Sequence, residues 1–247
     1  MKKRLDHILQ EKGYFDTREK AKRAIMAGEV IVNEMAVTKA GTMFKEENIK
    51  SIRVKTKINY VSRGGLKLEG AIKIWDIDFK DLIVLDIGSS TGGFTDCSLK
   101  NGAKFVYAVD VGTNQLDYSL RMNDKVKSIE NRHINKLGEE DLDLGLADAV
   151  VADVSFISLT KIIEYVHKFS KENSFCVLLI KPQFEVGKEN IARNGIVKDE
   201  NWRDFAIKKV VKVMKEYDYE IVGINESPIK GTKGNIEYLM YARKKRN

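Results

Sequence analysis

Cysteine is nearly missing from this 247-residue chain. Cys97 and Cys176 are too few for a disulfide framework or a cysteine zinc site. Cys176 lies inside the apolar run Phe175-Cys176-Val177-Leu178-Leu179-Ile180, and both thiols are expected to be reduced and structural. Histidine is equally sparse: His7, His133 and His167 are scattered without metal-ligand spacing, so no metal is expected. No apolar run approaches the ~18 residues of a membrane span. The start, Met1-Lys2-Lys3-Arg4-Leu5-Asp6, lacks the apolar stretch that follows the basic residues of a secretory signal. A membrane partner is therefore not expected, and the location is expected to be cytoplasmic.

The charge is unevenly spread. Of the net +7, roughly +6 falls in residues 1–60, which hold about 14 Lys and Arg against about 8 Asp and Glu. Two short helices are predicted there, Arg4–Lys12 with Leu5, Ile8 and Leu9 on one face, and Thr17–Ala27 with Ala21, Ala24 and Ile25 on one face and Met26 at its margin. Gly13 and Gly28 are placed to end them, and Asp16 or Thr17 to cap the second. Two β-prone runs follow around Asn33-Glu34, between Glu29 and Val37, with a further strand-like piece at Asn48–Val54. Arg18, Lys20, Lys22 and Arg23 cluster on the second helix. Together with Val30-Ile31-Val32-Asn33, the segment from Thr17 to Gly28 resembles the alpha-L type of RNA-binding module. That resemblance implies a basic surface for structured RNA, with Arg4 and Arg63 added to the RNA-contacting set. Phosphate contacts of this kind give salt-sensitive affinity and recognition of shape more than of sequence.

From Val84 onward buried strands alternate with amphipathic helices, the pattern of a mostly parallel sheet covered on both faces. Strands are predicted at Ile83–Asp86, Phe105–Asp110, Ser128–Asn131, Ala147–Asp153 and Phe175–Lys181, and a long helix at Trp202–Tyr217. An antiparallel pair, Tyr219–Glu226 and Asn235–Arg243, closes the chain across a turn-rich stretch with Pro228, Gly231 and Gly234. The fold class is α/β, a Rossmann-like domain with its last strand reversed, behind a small α+β module. The expected domains are 1–58, a linker at 59–66, and 67–247.

Asp86-Ile87-Gly88-Ser89-Ser90-Thr91-Gly92-Gly93-Phe94 follows a strand and leads into a helix, the setting of a nucleotide-binding glycine turn. Its spacing is neither the Gly-x-Gly-x-x-Gly that seats a pyrophosphate nor a P-loop. It fits a nucleoside cofactor without phosphate, S-adenosyl-L-methionine. Asp110 ends the second strand, where an acid can accept hydrogen bonds from ribose hydroxyls. That position supports nucleoside binding without choosing the cofactor. The cofactor-binding candidates are Asp86, Gly88, Ser89, Ser90, Thr91, Gly92, Gly93, Phe94, Asp110 and Asp153.

Asp153 and Lys181 follow apolar strands, and Glu237 lies near the start of the reversed one, so all three belong to one edge of the sheet. Lys67, in Ser62-Arg63-Gly64-Gly65-Leu66-Lys67-Leu68, joins them from the helix ahead of the sheet. Lys67, Asp153, Lys181 and Glu237 resemble the Lys-Asp-Lys-Glu set of FtsJ-like RNA ribose 2′-O-methyltransferases. A ribose hydroxyl is a poor nucleophile, so a base must take its proton; a free ammonium, with a pKa near ~10.4, is made into one by a second lysine and desolvation. Lys181 is the expected base, Asp153 and Glu237 orient it, and Lys67 tunes it and holds the target nucleotide. With only two prolines, the chain has neither the Asp/Asn-Pro-Pro-aromatic turn of exocyclic-amine methylation nor a Pro-Cys pair for attack at a pyrimidine carbon. Oxygen is left as the acceptor.

The long motifs, in order, are Ser62-Arg63-Gly64-Gly65, Leu85 to Asp96, Val109-Asp110-Val111-Gly112 with Gln115-Leu116, Asp153 to Leu159, and Lys181-Pro182-Gln183-Phe184-Glu185. Over nearly the whole chain they are similar to the TlyA, or haemolysin A, family. The resemblance implies 2′-O-methylation of cytidine in ribosomal RNA, with ribosomal RNA or a ribosomal subunit as partner. Glu130-Asn131-Arg132-His133 departs from the family's Arg-Thr-Asn pattern and leaves the adenine contact unassigned. Competing expectations are a non-catalytic RNA-binding or ribosome-assembly factor, a pore-forming protein, for which no spanning or pore segment is present, and a dehydrogenase, which the glycine spacing disfavours.

Overall fold

The computed structural model describes residues 2–15, 17–54, 59–231 and 234–246. The chain forms two compact units, Met1–Ile58 and Asn59–Asn247.

In the first unit β1 (Lys2–Arg4) leads directly into α1 (Leu5–Glu11), and α2 (Arg18–Met26) follows. Leu5, Leu9, Ala21, Ala24 and Ile25 form its core, with Val30 and Val32 beneath them. Met26 departs from the expected face: at the last helical position it turns outward and is exposed. Thr17 caps α2 by accepting the Lys20 N–H, while the alternative cap, Asp16, lies outside the described residues. β2 (Val30–Val32) pairs with β3 (Met35–Val37) and β5 (Ile52–Val54). The β2–β3 turn uses Asn33 and Glu34 at φ 48° and 65°; positive φ at both central residues is what a two-residue hairpin turn of matching twist demands. Of the strand expected at Asn48–Val54 only the end is extended, because Glu46–Asn48 makes a 3₁₀ turn. A second ribbon, β1 with β4 (Met43–Lys45), was not predicted.

The second unit starts with α3 (Gly64–Trp75), which begins inside the segment expected as a linker. The sheet then takes β6 (Ile83–Ile87), α4 (Gly93–Lys100), β7 (Phe105–Val109), α5 (Tyr118–Arg121), β8 (Val126–Ile129), β9 (Ala147–Ala152), α6 (Ile163–Lys168), β10 (Ser170–Ile180), α7 (Pro182–Glu185), α8 (Glu200–Glu216), β11 (Tyr219–Glu226) and β12 (Tyr238–Lys244). Seven strands lie in the order β11-β12-β10-β9-β6-β7-β8, and β12 is antiparallel to both neighbours. Strand alternation sorts the core into two layers. Val84, Val106, Ala149, Val151, Val177, Leu179 and Leu239 pack against Leu68 and Ala71 of α3 and Phe94 and Cys97 of α4. Their neighbours Leu85, Tyr107, Val150, Leu178 and Met240 face Ile163 and Val166 of α6 and Val210 and Met214 of α8.

Three strands of this unit differ from expectation by more than one residue at a bound, the first of them, β8, also starting two residues early at Val126. β8 ends at Ile129, because Glu130 turns to accept backbone N–H groups of Asn114, Gln115 and Leu116 and Asn131 adopts φ 51°. β10 starts at Ser170, across an irregularity before Phe175. β12 starts at Tyr238, because the Asn235 side chain is spent on Val197 N–H and Gly195 carbonyl. Both cysteines are buried; burial pushes the Cys97 thiol up to about 12 and raises that of Cys176, which suits core packing. Among the described residues no helix is long and apolar enough to cross a membrane.

Candidate active site

The strand order reverses at β6, flanked by β7 and β9, and the carboxyl ends of β6 and β9 open a crevice there. Gly88 and Asp153 leave these neighbouring strands side by side. A Cβ on Gly88, at φ 80°, would stand 3.1 Å from the Asp153 carbonyl oxygen, so glycine is required both by the turn and by the approach. Gly93 opens α4 against the start of α3, where a Cβ would meet Ser62 Oγ and lie 2.8 Å from Gly65 N and 3.0 Å from Gly64 Cα. The Ser62-Arg63-Gly64-Gly65 motif is thus the seat on which the two helix starts meet.

A cavity of about 700 Å³ lies at this edge. Gly88, Ser89, Ser90, Thr91, Gly93 and Phe94 line it, as do Arg63, Lys67, Asp153 and Lys181. Three cofactor candidates sit elsewhere. Asp86 lies beneath the turn, fully buried, where strand alternation aims it at α4: Oδ2 accepts the Thr95 hydroxyl at 2.6 Å, and burial pushes the carboxyl up to about 7. Gly92, at φ 94°, packs on Leu116 and Leu120. Asp110 does not line the cavity either; it accepts Ser90 N–H at 2.8 Å and Gly112 N–H at 2.7 Å and so fixes the turn. Glu130, which sequence reasoning left without a role, braces the loop beyond it, and its three backbone hydrogen bonds hold its carboxyl below the usual range.

The four polar residues from four separate elements converge. Pro182 opens α7 and so ends β10 at the sheet edge, leaving Lys181 at the junction. Lys181 Nζ lies 2.6 Å from Asp153 Oδ1 and donates to Ser155 Oγ at 2.8 Å. Lys67 Nζ bridges Glu237 Oε2 at 2.8 Å and Asp153 Oδ2 at 3.4 Å. Gln183 Nε2 donates to Glu237 Oε1 at 3.3 Å. Both lysines are 8% exposed and Glu237 2%, so the ion pairs are nearly dry, where removing one partner strands the other. A second cavity, of about 390 Å³, adjoins the set and is lined by Phe156, Phe184 and Gln183. Ser155 and Lys181 line both cavities. Ser155 and Gln183 were missed in the sequence because a single polar residue in a short loop or a one-turn helix looks like solvated surface.

In the first unit, Arg4 and Arg18 converge on the buried carboxylate of Asp6, Arg4 at 3.0 Å and Arg18 at 3.4 Å. Hydrogen bonds from Arg4, reinforced by Arg18, hold the Asp6 carboxyl below its usual range. Lys20, Lys22 and Arg23 are exposed on α2. Arg63 belongs to the second unit, at the rim of the larger cavity, where it donates to the Lys230 carbonyl at 3.4 Å.

A sheet of this order with a glycine turn at its switch point and a lysine–carboxylate set above it defines a Rossmann-like methyltransferase. Residues 60–244 match the FtsJ-like methyltransferases and residues 3–49 the S4 domain. The chain belongs to the TlyA and hemolysin A family of FtsJ-like methyltransferases. It is 43% identical over 238 residues to hemolysin A of Brachyspira hyodysenteriae, covering 96% of this chain and 98% of that one. It is 35% identical over 240 residues to the 16S/23S rRNA (cytidine-2'-O)-methyltransferase TlyA of Mycobacterium tuberculosis, covering 97% and 89%. A solved structure from Streptococcus thermophilus, also carrying a hemolysin name, superimposes with TM-score 0.77 at 42% identity over 100% of this chain and 90% of that one.

Proposed function

We propose that the protein transfers the methyl group of S-adenosylmethionine to the 2′-hydroxyl of cytidine in ribosomal RNA, in the cytoplasm. The observation that carries this is the convergence of Lys67, Asp153, Lys181 and Glu237 where the two cavities meet. The larger cavity suits the cofactor: its volume is within the ~300–1,000 Å³ of ligand pockets, and the glycine turn at Gly88 and Gly93 lines it. Ser89, Ser90 and Thr91 offer hydroxyl and backbone groups there, with Asp153 beside the turn. When bound, the cofactor supplies a methyl group already activated on a sulfonium.

The chain's residues supply base and positioning. Lys181 Nζ, acting as the base, is placed to take the proton of the 2′-hydroxyl as that oxygen accepts the methyl group, whose bond to sulfur would break to leave a neutral thioether, and the ammonium so formed is neutralised by Asp153 at 2.6 Å. Lys67, held by Glu237, keeps Asp153 in place and offers a positive charge to the target nucleotide. Phe156, 91% exposed, faces Phe184 with ring centroids 5.3 Å apart beside the smaller cavity, an apolar wall against which an unstacked base can rest. Arg4, Arg18, Lys20, Lys22 and Arg23 of the S4 unit and Arg63 contact the RNA backbone. The test is Lys181→Ala: methyl transfer to ribosomal RNA is expected to fall ~10²–10⁴-fold with cofactor affinity retained, and near-normal transfer would rule the assignment out.

A further inference from the structure

Glu185 is a buried carboxylate that the chemistry above does not use. It ends α7 at 4% exposure. A charge so placed is costly unless fully partnered, and this one is. Oε1 accepts the Leu159 N–H at 2.7 Å, Oε2 accepts the Ser158 hydroxyl at 2.5 Å, and Lys209 Nζ of α8 lies 3.5 Å from Oε2. Lys209 also donates to the Glu185 carbonyl at 2.8 Å.

Ser158 and Leu159 are the far end of the loop that begins at Asp153. Its near end is held by Lys181 through Asp153 and Ser155. Between the two pins Phe156 adopts φ 64°, a conformation that a bulky side chain takes only when its surroundings over-determine it. Lys181 and Glu185 flank the single turn of α7, so the pins are rigidly related. The loop is therefore clamped at both ends to one short element, and Ser155, on the cavity junction, is held in the near clamp.

We propose that Glu185 is a positioning residue for methyl transfer: by fixing Ser158 and Leu159 it keeps Ser155 Oγ on the Lys181 amine. With Asp153 and Ser155 each engaging the amine, its remaining valence is directed at the acceptor oxygen. This rests on Lys181 being the base.

The test is a double-mutant cycle on the full chain. Single-turnover transfer to ribosomal subunits is measured for wild type, Glu185→Ala, Ser155→Ala and the double variant, with cofactor affinity measured by calorimetry. Each single variant is expected to slow transfer roughly tenfold, Glu185→Ala with cofactor affinity unchanged, and the double variant to be no slower than the slower single, since both break one contact. Glu185→Gln, whose amide oxygen can still accept the Leu159 N–H, should recover part of the rate. Where Glu185→Ala does not fold, Glu185→Gln takes its place in the cycle. Losses that multiply in the double variant, or a Glu185 variant with the wild-type rate, would overturn the proposal alone. A wild type that methylates no ribosomal RNA would overturn it together with the functional reading.

Discussion

Lys181 owes its place to a neighbour, Pro182, which cannot continue β10 and turns the chain into α7 at the sheet edge. That kind of position is legible in a sequence: Lys181 and Asp153 each follow an apolar run, and the edge they mark was predicted from those runs alone. Asp86 shows where such reasoning stops. Adjacency to the glycine turn suggested a cofactor contact, but the two-residue alternation of β6 carries the side chain inward, onto Thr95. The same burial makes a prediction. The Asp86 carboxyl is raised by desolvation from an ordinary 3.8 to about 7. Below both values it is protonated in folded and unfolded chains alike. Between them the folded chain holds a proton that the unfolded chain has lost, so stability falls as pH rises and the penalty is complete above about 7. Asp86→Asn, which can still accept the Thr95 hydroxyl, should remove that slope. Urea unfolding is expected to show the variant gaining on wild type as pH rises from 4 to 8, and a constant offset would contradict the assignment.

At the scale of elements, segments with an apolar period or a turn signal, such as the β2–β3 hairpin at Asn33-Glu34, were readable, and short ones with neither were not. β6, β7, β9 and α8 each bury a continuous apolar run or stripe. β1 and β4 are three residues each and mostly charged or exposed, so nothing in their pattern reveals the pairing Lys3 with Phe44. The meeting of α3 and α4 was equally hidden, because a glycine pair does not announce what it packs against. Its energetics can be tested with Gly93→Ala. Alanine in a helix ordinarily gains ~0.5–1 kcal/mol over glycine. Here the Cβ would meet backbone of Gly65 and Gly64 at 2.8 and 3.0 Å, which cannot yield as a flexible side chain would. The overpacking cost of ~1–3 kcal/mol should win. Thermal unfolding is expected to show a lower Tm, and calorimetry a weaker affinity for S-adenosylmethionine; a stabilised variant with normal affinity would refute the close approach.

Across the whole molecule, charge and chemistry are divided between the two units. The S4 unit carries most of the net positive charge and the second unit the lysine–carboxylate set, a division visible in composition before any fold was known. Binding to ribosomal RNA should weaken steeply with salt, and Lys22→Glu with Arg23→Glu should lower affinity and reduce the salt slope by about 2 while leaving cofactor affinity unchanged. Filter binding over a salt series measures both, and an unaltered slope would remove α2 from the RNA surface. Two functions on one chain meet only in the reaction itself. The decisive measurement incubates purified protein and its Lys181→Ala variant with labelled S-adenosylmethionine and each ribosomal subunit, and maps the product. A 2′-O-methylcytidine formed by wild type, and lost in a variant that still binds cofactor, is the predicted result. Label on a base, or transfer undiminished without the Lys181 amine, would contradict it.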